Sequence, residues 1–268
     1  MMQTLLAATA QHIGAAALLW FLAGLVGLLA ASAGVVLLLQ RHLLKRSQQA
    51  VPAPVNLLLW YGLGFALIAA AALLFTVIAE HIAADAAIGR FDIQLSMAIR
   101  QHTSRLGYRL LGCITHFGDS ATLTVLWIAG TVLLLAQRRL LLALGWIAAI
   151  GGNSLLNPAL KDIFQRVRPE AGGHAYSGWS FPSGHSSGAM VAYGMLAYVL
   201  LRSVKGAWHL PVILLAIAII FSTGFSRIYL QAHYVSDVVA GFATGAAWLT
   251  VCISSVEFVR FRRGRRRP

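Results

Sequence analysis

Acidic residues are scarce in this chain, eight of 268 against 21 lysines and arginines. None of them cluster on the side assigned below to the active site, which leaves no carboxylate set for a hard divalent cation. Two cysteines, Cys113 and Cys252, are too few for a disulfide framework, fall near opposite membrane faces in the span assignment below, and read as inert packing residues. Charge of either sign amounts to 11% of the chain while 59% is hydrophobic, and the mean hydropathy is +0.75, which excludes an ordinary soluble domain. The formal charge of +13 does not indicate nucleic acid, because the cations form short clusters between apolar stretches with no aromatic-interleaved basic face. Internal repeats are also missing, which weakens a transporter reading. The N-terminus has no positive n-region, and its uncharged stretch runs on to Arg41, too long for a signal-peptide core, so it reads as a membrane anchor.

What is present is a series of apolar stretches near residues 14–39, 57–79, 119–136, 140–160, 186–201, 210–225 and 236–256. A spanning helix needs roughly 20 mainly apolar residues, so the expectation is an all-α transmembrane bundle of six to seven spans in one domain, 1–268. The first stretch reads either as one tilted span with a lead-in or as barely two. Arg41, Lys45, Arg46, Arg138, Arg139, Arg202, Lys205, Arg260 and the tail FRRGRRRP put 13 of the 21 basic residues on one side, which the positive-inside bias makes cytoplasmic. The expected location is the cell (inner) membrane, with the tail inside and the opposite face extracytoplasmic. Segment 80–118, with Arg90, Arg100, Arg105 and Arg109 among apolar residues, fits an interfacial helix or a solvated loop equally well.

Three segments gather on the extracytoplasmic face polarity that a membrane protein avoids without reason: KDIFQRVRP (161–169), FPSGHSS (181–187) and SRIYLQAHYVSD (226–237). Emerging at the ends of the fourth to seventh helices, they can converge on one pocket. Lys161, Arg168 and Arg227 suit a multiply charged anion such as phosphate. Pro169 disfavours helix at Arg168 and so places that arginine at a helix end or in a loop. Ser183 and Gly184 precede an apolar run as an N-cap and a close-approach glycine would, leaving free amides that hold anions; alone this is a common helix cap. His233 and Asp237 are four apart, so on a helix the carboxylate holds Nδ1–H and leaves Nε2 nucleophilic; standing alone, the pair would read as a buried histidine satisfied by its neighbour. His185 is the second histidine such chemistry needs, as acid and then base, with the two pKa values pushed apart and cations near both favouring the neutral rings. His174 reads as a loop residue.

KxxxxxxRP, PSGH and SRxxxxxHxxxD, in that order, resemble the three-part signature of the type 2 phosphatidic acid phosphatase superfamily, and every signature position is matched between 161 and 237. Residues 1–118, the N-terminal spans and interfacial segment, carry little of it. The resemblance implies His233 as nucleophile, Asp237 as its orienting partner, His185 as acid and base, and Lys161, Arg168, Ser183, Gly184 and Arg227 as the phosphate cradle. It further implies metal independence, no cofactor and a lipid phosphate or diphosphate as substrate, with no nucleic acid and no obligate protein partner inferred. Related vanadium haloperoxidases share a similar pocket but are soluble. A phosphotransferase would use the same residues with another acceptor. An anion or lipid transporter is the alternative of a different class, although such sites lie near the midplane.

Overall fold

The structure, a computed structural model, describes residues 2–46, 53–169 and 178–265, and among these all regular structure is helical. Ten α-helices follow in order: α1 Met2–Ala15, α2 Ala17–Arg46, α3 Ala53–Glu80, α4 Ala87–Gln101, α5 Arg105–Ile114, α6 Ser120–Ala136, α7 Leu140–Phe164, α8 Gly184–Leu201, α9 His209–Tyr229 and α10 Val235–Arg265. Each expected apolar stretch falls on a helix. Five of them, α2, α3, α7, α9 and α10, are long and apolar enough to cross a bilayer, and α5 with α6, bent by 41° at the break between them, makes a possible sixth. Large apolar side chains on their outer faces, such as Phe65 (73% exposed) and Leu155 (77%), have no protein partner to bury them, as expected where the solvent is lipid.

The uncharged N-terminal stretch resolves as a lead-in plus one long helix. At about 1.5 Å per residue, the 14 residues of α1 reach only about 21 Å. Instead, α1 packs on α4, where Ala10 buries with Leu95 and Ile99 in a cluster that Ala17 of α2 and Leu111 of α5 join. Segment 80–118, open between helix and loop in the sequence, is mostly helical. Helix α4 turns Asp92, Leu95, Ala98 and Ile99 inward, while Ser104 caps α5 by accepting from Gly107 N at 3.0 Å.

Helix α8 sits at the centre, packed by α7, α9 and α10. Its Ser186, Ser187, Gly188, Ala189 and Ala192 keep it slender enough for all three to approach. The closest approach is made by α10: a Cβ on Gly241 would lie 2.6 Å from the Ser183 carbonyl oxygen. A second apolar core, centred on Trp146, Ala149, Val191, Met195 and Val256, ties α7, α8 and α10 together farther along. The consequence for function is one of register. The C-terminal end of α7, the N-terminus of α8 and the turn between α9 and α10 meet at one end of the bundle, and these are the three signature segments.

Candidate active site

Helix α7 stops where Gln165 adopts a left-handed conformation (φ 46°), and the chain leaves it extended through Arg166, Val167 and Arg168. Lys161, in the last turn, donates to the carbonyls of Trp179 and Ser180, the latter at 3.4 Å. Arg168 stands off the helix, as its following proline predicts, and donates from Nε to Gly178 O (3.0 Å) and from Nη1 to Ala232 O (2.7 Å). Those carbonyls hold the guanidinium in place, with Nη1 3.1 Å from His233 Nε2.

At the start of α8, Ser183 is the N-cap: it is fully buried and its hydroxyl accepts from Ser186 N at 3.4 Å and Ser186 Oγ at 2.9 Å. Gly184 follows, and a Cβ there would lie 2.9 Å from Asn157 Oδ1. Asn157, itself buried, donates to Pro182 O and Ser187 Oγ, which fixes the helix start against α7. Ser183 N donates to Asp237 O at 2.9 Å, linking the second segment to the third.

One expectation is corrected here. His233 and Asp237 do touch, Nδ1 to Oδ2 at 3.3 Å, but they do not share a helix face, because His233 precedes α10. Gln231 takes a left-handed conformation (φ 58°), and the amides of Ala232 and His233 both donate to Arg227 O, which turns the chain and projects the imidazole from a tight bend. Asp237 sits in the first turn of α10 and accepts from Tyr234 N at 3.0 Å, so the carboxylate that orients the histidine also caps the helix.

Lys161, Arg168, Gly184, His185, Arg227 and His233 line a single cavity of about 1100 Å³, while Ser183 and Asp237 stand behind its wall. The cavity continues from these polar groups along α6, α7 and α8 to Trp127, Ile147, Ile150 and Val191, so one end is cationic and the other apolar. Arg227 is buried, and its Nη1 donates to Thr115 Oγ1 at 2.8 Å. His174 lies outside the described residues.

Both histidines are pushed down to about 4, which corrects the expectation that their pKa values are driven apart. For His233 the cause is burial, reinforced by Arg168 and Lys161 and opposed by Asp237. His185 lies just ahead of the apolar stretch 186–201; burial again leads, Arg227 adds to it, and the hydrogen bond to Asp119 works against it. Both rings are therefore neutral at pH 7. For His185 this follows the other part of the sequence argument, that neighbouring cations leave its proton dependent on bound phosphate.

Two carboxylates from the N-terminal half complete the site, and nothing in the signature pointed to them. Asp119, in the bend between α5 and α6, accepts from His185 Nε2 at 2.8 Å and from the exposed His116 Nδ1 at 2.6 Å. Asp92 on α4 pairs with Arg166 Nη2 at 2.8 Å, and the Nη1 of the same arginine donates to Asp237 Oδ1 at 2.6 Å and Ser236 Oγ at 2.7 Å. Arg166 also lies over the Tyr234 ring, 4.4 Å from its centroid. It was legible in the sequence only as one more extracytoplasmic cation. Among the described residues no group of three or more His, Cys, Asp or Glu converges as a metal-ligand set.

Known proteins resemble this chain in sequence and fold. The family model of the PAP2 superfamily matches residues 139–261. Phosphatidylglycerophosphatase B from Bacillus subtilis (strain 168) is 36% identical over 141 residues, 49% of this chain and 66% of that protein. Lipid A 1-phosphatase from Rhizobium johnstonii is 32% identical over 174 residues, 55% of this chain and 66% of its own length, so the chain spans just under two thirds of both curated relatives. The crystal structure of a transmembrane PAP2-type phosphatidylglycerolphosphate phosphatase from Bacillus subtilis superposes with a TM-score of 0.65 at 30% identity, covering 72% of this chain and 96% of that one.

Proposed function

The chain belongs to the PAP2 superfamily, and on that premise we propose that it is a metal-independent membrane phosphatase that removes phosphate from a lipid through a phosphohistidine intermediate. One observation carries the reading: an imidazole whose Nδ1 is held by a buried carboxylate and whose Nε2 faces a cavity lined by Lys161, Arg168 and Arg227. With Nδ1–H donated to Asp237, Nε2 carries the lone pair. It attacks phosphorus while the P–O bond to the lipid alcohol or phosphate breaks, and the leaving oxygen takes a proton from the His185 side of the pocket. The three cations and the amides at the start of α8 offset the charge spread over the equatorial oxygens. Water then attacks the phosphohistidine, its proton passes to His185, the N–P bond breaks and inorganic phosphate leaves.

Arg168 has a second task. Its Nη1 also donates to the nucleophilic Nε2 itself, and on the proposed mechanism the guanidinium exchanges that bond for a phosphate oxygen as Nε2 attacks. His185 is neutral at pH 7, and the proton for the leaving oxygen arrives with a monoanionic substrate or is drawn onto His185 by a bound dianion. Asp119 accepts from Nε2 and so leaves Nδ1 as the nitrogen free to serve the reaction.

The apolar reach of the cavity along Trp127, Ile147 and Ile150 favours a lipid over a soluble phosphate ester. The names of the relatives put phosphatidylglycerophosphate and lipid A phosphate first among candidate substrates, with phosphatidate and polyprenyl diphosphates presenting a similar terminal phosphate. The basic bias of the opposite end supports a site at the extracytoplasmic face of the cell membrane. The test is inorganic phosphate release by the purified protein in detergent with excess chelator, over that lipid panel. Wild type releases phosphate, and His233→Ala lowers kcat by roughly 10³-fold or more and forms no acid-labile phosphoenzyme. Chelator-sensitive release, or full activity in the variant, would sink the proposal. Phosphoenzyme without phosphate release points instead to transfer to another acceptor.

A further inference from the structure

At the end of the bundle away from the catalytic pocket lies a second polar cavity, of about 620 Å³. Its wall carries Arg138 and Arg139 from the turn between α6 and α7, Arg202 at the end of α8, and Arg260 and Arg263 near the end of α10, beside Leu140, Leu141 and Leu142. It is remote from the chemistry: from Asp237 to Arg260 along α10 is about 35 Å at 1.5 Å per residue. We propose that this cavity binds a phosphate-bearing anion, the headgroup of an anionic phospholipid in the leaflet opposite the active site.

Membrane orientation needs positive charge in the loops on one side; it does not need five guanidinium groups from three separate segments in one cavity. Their mutual repulsion is only partly offset. Among the described residues the carboxylate that reaches them is Glu257, hydrogen-bonded to Arg202 and 3.9 Å from the Arg260 Nε. Arg139 donates to Ser203 Oγ at 2.5 Å, a neutral partner that leaves its charge in place. The backbone is a second, independent sign. Arg138 holds a left-handed conformation (φ 56°), where glycine or asparagine is the ordinary choice, so this tight turn keeps an arginine against local preference.

Guanidinium forks match phosphate oxygens. The leucine wall decides between a free ion and a lipid: Leu140 is 61% exposed and Leu144, one turn on, is 64%, so an apolar track leads from the arginines along α7 into the membrane. A phosphodiester headgroup with the start of its acyl chains fits both halves of that surface.

The test uses the whole protein in detergent, with binding and melting midpoint as readouts, so it does not depend on catalysis. Phosphatidylglycerol, phosphatidylcholine of the same chains and inorganic phosphate are added separately to wild type, Arg138→Gln/Arg263→Gln, Arg138→Lys and the control Arg100→Gln/Arg105→Gln. Phosphatidylglycerol raises the wild-type midpoint and is retained in native mass spectra, while phosphatidylcholine is not. The double variant binds roughly thirtyfold more weakly, taking each lost cation as roughly fivefold. Arg138→Lys keeps the charge and loses the fork, so it falls between them, and the control matches wild type. Equal binding in the double variant and wild type, or equal retention of phosphatidylcholine, overturns the site. A shift of the same size with inorganic phosphate alone overturns the lipid assignment and leaves an arginine site for a soluble anion. If the double variant melts below wild type without any lipid, the Arg138→Lys comparison alone decides.

Discussion

His185 sits between a cation that discourages its proton, Arg227, and a carboxylate that invites it, Asp119. On the proposed mechanism that balance sets the pH dependence. With His233 and His185 both pushed down to about 4, each ring is neutral above that value, and protonation silences the nucleophile only as pH falls through about 4. Because the neutral His185 brings no proton of its own, the monoanionic form of the substrate supplies it, and a phosphate monoester loses that proton near pH 6. The kcat/KM profile is therefore expected to be flat from about pH 5 to 6 and to fall roughly tenfold per pH unit at higher pH. Asp119→Asn removes the charge that favours His185 in its protonated form. It lowers kcat roughly 10- to 100-fold with little change in KM, and a steady-state pH series on a single lipid measures both quantities. A variant with an unchanged kcat would show that the carboxylate merely packs there. Folding stability carries the same sign: a histidine whose folded pKa is depressed contributes full stability above about 6.5 and loses it as pH falls toward 4.

At the scale of elements, α4 bears directly on the catalytic turn although the family signature lies elsewhere. Arg166 lies between two buried carboxylates, Asp92 on α4 and Asp237 on α10, and one guanidinium pairs with both. Replacing it by methionine strands two buried charges. Breaking a buried ion pair costs about 3 to 5 kcal/mol, so Arg166→Met is expected to lower the thermal midpoint clearly, and the added variant Asp92→Asn to recover part of the loss. Thermal unfolding in detergent reads both. Recovery is the informative result, because a residue that only fills space would show no coupling to Asp92. The slender α8 makes the same point from packing: α10 can bring Asp237 N-terminally onto the site only because Gly241 lets it lie against the Ser183 carbonyl.

For the molecule as a whole, the two ends differ in kind. One end holds the histidines and their cations around a cavity that runs on into apolar wall; the other gathers arginines from a turn and two helix ends around a second cavity and, among the described residues, holds no histidine there. On the proposed topology the second end is the cytoplasmic one, following the positive-inside bias. In a Cys113→Ser background, exposed positions at the two ends can be marked with a thiol: His102→Cys on the catalytic side and Lys205→Cys on the other. A membrane-impermeant maleimide applied to intact spheroplasts is expected to label the first and spare the second until the membrane is opened. The reverse pattern would invert the proposed topology.

Hydropathy by itself determined the membrane class and every helix that the seven apolar stretches announced, because the cost of exposing backbone polar groups to lipid leaves long apolar segments one choice. Spacing within 161–237 likewise gave the residues that line the cavity, since the chemistry needs cations, a histidine pair and a carboxylate close in sequence to its histidine. The tertiary structure alone decided what supports them. Asp119 and Asp92 lie 66 residues from His185 and 74 from Arg166, Asp119 at the very start of the apolar stretch 119–136 and Asp92 in a segment whose sequence fits a loop as readily as a helix, and a single carboxylate has no periodicity to announce its partner. The bend that places His233 ahead of α10 was hidden for a related reason. A four-residue separation brings the same two side chains together on a helix or across its capping turn, and only the folded backbone at Gln231 distinguishes the two.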